Sequence, residues 1–224
     1  MPPLKKQRTT KKTHIVLLDE FHMSDCQLQA LVKNPKCNLV PLLSVSDQRP
    51  VLIQLNGGGV IPRSFGIEDK EQDGRRKVQL ALQIDSKSDH AHLERLRDEL
   101  GTIVTAQWKS WFPELVSPSK EVLMSLCNAF VSARKKKKTG DDTWSGVAKA
   151  GIDPGECTSG RCKIVHKDTG EIILYENLPG MTWHKVILEL RYVFIQATKS
   201  YGITKKLRYI SCSSDDDFGD IEPL

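Results

Sequence analysis

Three groups of residues have the types and spacing for chemistry. Cys157, Cys162 and His166 form C-x4-C-x3-H, a set of soft ligands close to zinc spacing. Tetrahedral zinc needs a fourth ligand and is normally gripped by a tighter C-x2-C knuckle, so no metal and no other cofactor is expected. Asp215, Asp216 and Asp217 are consecutive carboxylates. Metal-dependent phosphoryl chemistry needs carboxylates held by a rigid frame, and these stand in a stretch read as a mobile tail. Gly57, Gly58 and Gly59 could cradle a phosphate. No Lys-Ser/Thr pair and no helix pattern follows them, so they are read as a turn or bulge. His90 and His92 lie two apart at a helix start, where a surface pair is ordinary. There is no G-x-S-x-G elbow and no H-E-x-x-H. No catalytic residue is assigned, and an enzyme is not expected.

Binding has more material. Lys5, Lys6, Arg8, Lys11 and Lys12 follow two prolines and read as a nuclear-localisation patch or a disordered arm for phosphates. Arg134, Lys135, Lys136, Lys137 and Lys138 form an uninterrupted basic run. The last strands add Arg191, Lys199, Lys205, Lys206 and Arg208, interleaved with Tyr192, Tyr201 and Tyr209. Cations neutralise phosphates by releasing counterions, and aromatic faces stack bases of any identity. On the last strand Lys206 and Arg208 share one face and Leu207 and Tyr209 the other, so Tyr209 reads as core. Tyr201, at a turn, is the better stacking candidate. Trp144, close to four lysines, either stacks or packs into its own loop.

The final stretch has the opposite sign. Asp215, Asp216, Asp217, Asp220 and Glu222 surround a single aromatic, Phe218. It is either a solubilising terminus or a segment that imitates a nucleic-acid strand, competing for a basic groove or docking on a partner. The remainder of the chain must position these groups. The whole chain has 224 residues, a net charge of +5, 39% hydrophobic and 27% charged residues, which describes a soluble globular protein able to bury a core. No apolar run approaches the ~20 residues that span a bilayer, and the start lacks the apolar segment of a secretory signal. Six irregularly spaced cysteines fit reduced thiols in a cytosolic or nuclear protein.

Apolar runs broken by Pro and Gly, "THIVLLDEF", "NLVPLLSV" and "RPVLIQLNGGGVIP", read as short strands, and "KVQLALQI" as another. "DKEQDGRRK" is a charged connection. From Ser88 to Trp111 the apolar residues Leu93, Leu96, Leu100, Ile103, Val104, Trp108 and Trp111 recur at helical steps, with Ser88 or Asp89 as N-cap and Gly101 weakening the middle. Val122, Leu123, Leu126 and Phe130 form a second face, a short helix or a broken strand. Residues 134–161 read as a long loop. "CKIVHKDTGEIILYE" is a hairpin around Asp168-Thr169-Gly170. In 184–198, Val186, Leu188, Leu190, Tyr192 and Phe194 line one face of a strand, and Lys185, Glu189 and Arg191 the other. Residues 199–212 form the next strand. The order suggests a closed or nearly closed small barrel with a helical insertion.

The last part of the chain, "GMTWHKVILELRYVFIQATKSYGITKKLRYISC", resembles the C-terminal strand pair of single-stranded DNA-binding proteins of short-tailed phages, and still more their counterparts in large eukaryotic DNA viruses. That family joins its two long strands by a K-[FY]-G-[IV]-T turn. Here the turn reads Lys199-Ser200-Tyr201-Gly202-Ile203-Thr204, with one residue more. The acidic segment with Phe218 resembles the family tail, although Phe218 stands inside the segment. The resemblance is specific over roughly 175–224, looser over 60–140 and absent over 1–60, and neither the basic arm nor the 134–161 loop is a mark of the family.

The resemblance implies a mainly β, OB-fold-like, five-stranded barrel over 13–212. It carries a helical insertion at about 88–133, a basic arm at 1–12 and an acidic tail at 213–224. It implies sequence-independent single-stranded DNA binding in replication or recombination. The tail would compete for the DNA groove and recruit a polymerase or helicase, at a nuclear or viral replication site. No membrane is involved, and a homodimer stays open. The alternative is a structural, virion or RNA-binding nucleoprotein component that uses its arm for charge neutralisation.

Overall fold

The computed structural model describes residues 14–35, 37–60, 67–72, 75–84, 86–133, 146–196 and 199–213. In chain order the strands are β1 (Ile15–Leu17), β2 (Cys26–Leu28), β3 (Cys37–Ser44), β4 (Val51–Val60), β5 (Ile67–Gln72), β6 (Arg75–Ile84), β7 (Ser132–Ala133), β8 (Gly146–Ile152), β9 (Lys163–His166), β10 (Thr182–Gln196) and β11 (Tyr201–Ser213). The helices are α1 (Lys87–Trp111), α2 (Lys120–Ser125) and α3 (Pro154–Thr158). The expected arm at 1–12, the basic run Arg134–Lys138 with Trp144, and the tail from Asp215 to Glu222 lie outside the described residues.

The fold is mainly β, with a mixed sheet and helices inserted between β6 and β8, consistent with an OB-like architecture. The ladder path runs β1-β4-β10-β11-β8-β6-β5. The sheet is larger than the expected five strands because β10 and β11 are long enough to take two partners on one side. β10 pairs with β4 along Thr182–Leu190 and with β3 along Tyr192–Gln196. β11 pairs with β9 through Tyr209–Cys212 and with β8 at Lys206. β4 lies against β6, and the Trp183 indole Nε1 donates to the Gln83 carbonyl at 3.0 Å. The two limbs of the sheet therefore curl over one core. That core holds Ile53 and Leu55 of β4, Leu80 and Leu82 of β6, and Trp183, Val186, Leu188 and Leu190 of β10, all buried. α1 covers it with Leu93, Leu96, Leu100, Val104 and Trp111.

Local chemistry explains the helix ends. The Ser86 side chain caps α1 by accepting from the Asp89 N–H, so the cap is neither Ser88 nor Asp89, and Asp89 stands in the first turn. α1 runs unbroken through Gly101. A Cβ there would stand 1.9 Å from the Met124 sulfur, so the glycine is where α2 crosses close to α1.

Three register shifts in the β10–β11 ladder decide which side chains face in. Each inserts one residue and turns the following side chains to the other face. One lies at His184, between Trp183 and Lys185. The second lies on β11 at Arg208, between the pairs Ile187–Tyr209 and Leu188–Leu207. The third lies between Leu190 and Val193, after which Val193 and Ile195 are buried in place of the expected Tyr192 and Phe194.

The described part of the expected 134–161 loop contains β8 and α3 instead. β8 buries Gly146, Ala148, Ala150 and Ile152 in strict alternation, with side chains so small that the composition resembles a loop. Gly57, Gly58 and Gly59 lie inside β4 at a register shift against β10, which matches the bulge expectation. The "DKEQDGRRK" connection is instead the β5–β6 hairpin. The hairpin around Asp168 forms as β9 and a single bridge, Val165 to Ile172, with Gly170 at φ 71°.

Gly202 sits in β11 beneath the Phe194 ring. A Cβ there would lie 2.9 Å from that ring and 3.2 Å from the Asn128 Cβ. Gly202→Ala should therefore destabilise the fold by about 1–3 kcal/mol through overpacking, read as a lower urea midpoint with an unchanged m-value.

Candidate nucleic-acid interface

Three cations of the last two strands converge on carboxylates, of which Glu189 is buried. Glu189, only 2% exposed, accepts from the Arg191 Nε at 2.5 Å and from the Arg208 Nε. The other arm of Arg208 donates to Glu156 Oε2 at 2.5 Å. Lys206 Nζ lies 2.6 Å from the same Glu156 oxygen and 3.1 Å from Asp153 Oδ2. Arg191, Lys206 and Arg208 thus form one continuous, neutral array with Glu189, Glu156 and Asp153 across β10, β11 and the start of α3. Burial alone would raise the Glu156 carboxyl, but the Lys206 hydrogen bond and the Arg208 and Lys206 charges hold it below the usual range. The Lys206 hydrogen bond does the same for Asp153. The predicted phosphate ligands Arg191, Lys206 and Arg208 are therefore brought together, with their charge already engaged.

Two of these carboxylates come from the N-terminus of α3. Asp153 caps the helix, accepting from the Gly155 and Glu156 N–H groups, and Pro154 follows at the first helical position. Asp-Pro-Gly-Glu is a helix-start pattern, and it is the signal in the sequence that places Glu156.

The other candidates separate. Lys199 has φ 68° at the end of the connection into β11 and is partly exposed. Tyr201 is not at a turn. It is the first residue of β11 and fully buried, its ring 5.9 Å from that of Phe112, and its backbone is bonded to Leu126 and Asn128. Burial raises its phenol above the ordinary value, with the Cys127 thiol beside it. As placed, it offers no face to a base. Tyr209, expected in the core, is partly exposed and outside the core cluster. The extra residue at Arg208 turns it out: Leu207 and Ile210 point inward, and the two residues between them point outward.

Lys205 points the other way. Its ammonium donates to the Phe130 carbonyl at 2.8 Å and lies 5.2 Å from the Phe130 ring centroid. Burial lowers its pKa to about 8. Among the described residues no group of three or more His, Cys, Asp or Glu is placed to hold a metal ion, and no helix is long and apolar enough to cross a membrane.

The described strand ends also show where the charged segments begin. β7 and β8 pair at Ala133 and Gly146, which bracket the run from Arg134 to Trp144. Gly146 pairs in turn with Ile84, next to the Gln83 carbonyl that Trp183 binds. Ser213, close before the acidic tail, pairs with Thr182, next to Trp183, and its hydroxyl lies 2.8 Å from His184 Nε2.

No family model and no curated protein matches this chain. Solved structures similar to it include the single-stranded DNA-binding protein from bacteriophage Enc34 in complex with ssDNA, 15% identical, with a TM-score of 0.38, covering 86% of this chain and 99% of that one. A C-terminal truncation of the Enc34 protein is 14% identical, with a TM-score of 0.44, covering 88% and 98%. The Enc34 protein itself is 14% identical, with a TM-score of 0.37, covering 88% and 96%.

Lys205 gives a pH prediction. Its folded pKa, about 8, lies below the ordinary 10.5, so the unfolded chain binds the proton more tightly. The cost of the buried charge is fully present below pH 8 and disappears as the pH rises towards 10.5. Stability should rise through this window by about 2–3 kcal/mol from this group. In urea melts at the two ends of the window, Lys205→Met should remove that rise.

Proposed function

We propose that this chain binds single-stranded DNA without sequence preference, in replication or recombination. The observation that carries the reading is that two segments of opposite charge leave strand ends that are connected within one sheet. The run Arg134–Lys138 holds five cations, and the segment 214–224 holds five carboxylates and no cation. Their described anchors, Ala133 with Gly146 and Ser213 with Thr182, are linked through the Trp183–Gln83 hydrogen bond. An extended chain covers ~3.3 Å per residue, so the acidic segment is long enough to reach the basic one. Acidic tail and DNA strand then alternate as partners of the basic run, the DNA displacing the tail. Trp144, within the basic segment, adds a stacking face. The OB-like architecture and the resemblance of the last two strands to the viral single-stranded DNA-binding family support the same reading. When DNA displaces the tail, the tail becomes available to a replication partner such as a polymerase or helicase.

The test compares oligothymidine with a duplex of equal length at matched salt, with and without residues 214–224. The single strand should bind far more tightly, and truncation should tighten it further. Replacing Arg134–Lys138 by alanine should reduce the slope of log affinity against log salt by about three, given ~0.7 per phosphate contact on a single strand. Equal affinity for duplex would instead favour a nucleoprotein that works by charge neutralisation alone.

A further inference from the structure

The outward face of β9, β10 and β11 carries a feature that the charged segments do not account for. Across one row of the sheet, Ile187 of β10, Tyr209 of β11 and Lys163 of β9 are ladder partners. Lys185 lies further along this face, paired with Ser211. Val186 and Ile210, between these rows, are fully buried, which fixes the opposite face as the core side. Ile187 is shielded from solvent but does not belong to the core cluster. It forms an apolar spot on the outer face beside the Tyr209 ring.

Neighbouring strands stand ~4.8 Å apart, so Lys163 and Ile187 flank Tyr209 closely on either side. Lys163, Lys185 and the Tyr209 hydroxyl have no hydrogen-bond or ion-pair partner among the described residues. The carboxylates that meet the cations of this face are engaged: Glu189 by Arg191 and Arg208, and Glu156 and Asp153 by Arg208 and Lys206. We infer that Tyr209 is a base-stacking platform on the outer sheet face, with Lys163 and Lys185 as its phosphate-neutralising cations. This inference rests on the single-stranded DNA reading above. A duplex keeps its bases stacked on one another, so a ring fixed in a sheet recognises only a base that is already free. Electrostatic complementarity and a partly exposed aromatic ring together fit a single strand.

Photo-crosslinking of the wild-type protein to an oligonucleotide carrying 5-iodouracil should label the peptide that contains Tyr209. Tyr209→Leu keeps an apolar side chain beside Ile187 and removes the π-face. It should weaken oligothymidine binding about tenfold to a hundredfold at constant salt slope, while Tyr209→Phe binds as wild type. The Lys163→Ala/Lys185→Ala double variant should lower the salt slope by about one. If the wild type prefers the single strand but crosslinks elsewhere, and Tyr209→Leu binds normally, this inference falls while the function stands. If the wild type shows no preference for the single strand, both fall.

Discussion

One extra residue in β11 governs the candidate interface. At Arg208 the ladder with β10 slips, so that Leu207 and Ile210 both face the core and the intervening Arg208 and Tyr209 both face out. Without it, strict alternation would send Tyr209 inward, as the sequence suggests. The same slip brings the Arg208 guanidinium to Glu189, which is almost completely buried. A buried carboxylate without cations is costly, by several kcal/mol. Glu189 therefore requires Arg191 and Arg208 where they are, and the bulge, the ion array and the outward tyrosine are one local arrangement.

The array changes how the basic character of the chain is to be understood. Counted along the sequence, the last strands are a cationic patch. In the fold, Arg191, Arg208 and Lys206 meet Glu189, Glu156 and Asp153, and Lys205 turns to the Phe130 carbonyl. Side chains used this way stiffen the sheet and tie α3 to it. Exposed ion pairs contribute little, but Glu189 is buried and Glu156 nearly so, which makes this network a positional constraint.

Elements set by periodicity are legible in the sequence. The helical spacing from Leu93 to Trp111 becomes α1, with Trp111 in the core, and the runs at 184–198 and 199–212 become β10 and β11. What depends on a single inserted residue is not legible. Period-two reasoning carries one error past each bulge, which is why Tyr192, Phe194 and Tyr209 read as inward. Tyr201 is a different case. It lies on the same face as Ile203 and Leu207, all buried, and only the reading of its position as a turn takes it out of the core. β8 escapes for another reason: Gly146, Ala148 and Ala150 bury little side chain, so their alternation carries almost no hydrophobic signal. Arg208 finds Glu156 at a separation of 52 residues, and pairing across such a distance leaves no local pattern of the kind that neighbours on one helix do.

An ion array neutralised within the sheet, beside charged segments, has a consequence for selectivity. Unengaged cations on a flat surface attract any polyanion, duplex and single strand alike, because the phosphates of both are exposed. Where the strand cations are consumed by Glu189, Glu156 and Asp153, that indiscriminate attraction is reduced on the sheet itself. On the inference above, the sheet then offers Lys163 and Lys185 and the π-face of Tyr209, and a paired base cannot use that π-face. On the proposed function, long-range attraction resides in segments such as Arg134–Lys138, which an acidic tail can neutralise, and discrimination resides in a rigid surface that it need not cover. A chain organised in this way can switch its affinity by charge while keeping its preference for unpaired bases fixed by geometry.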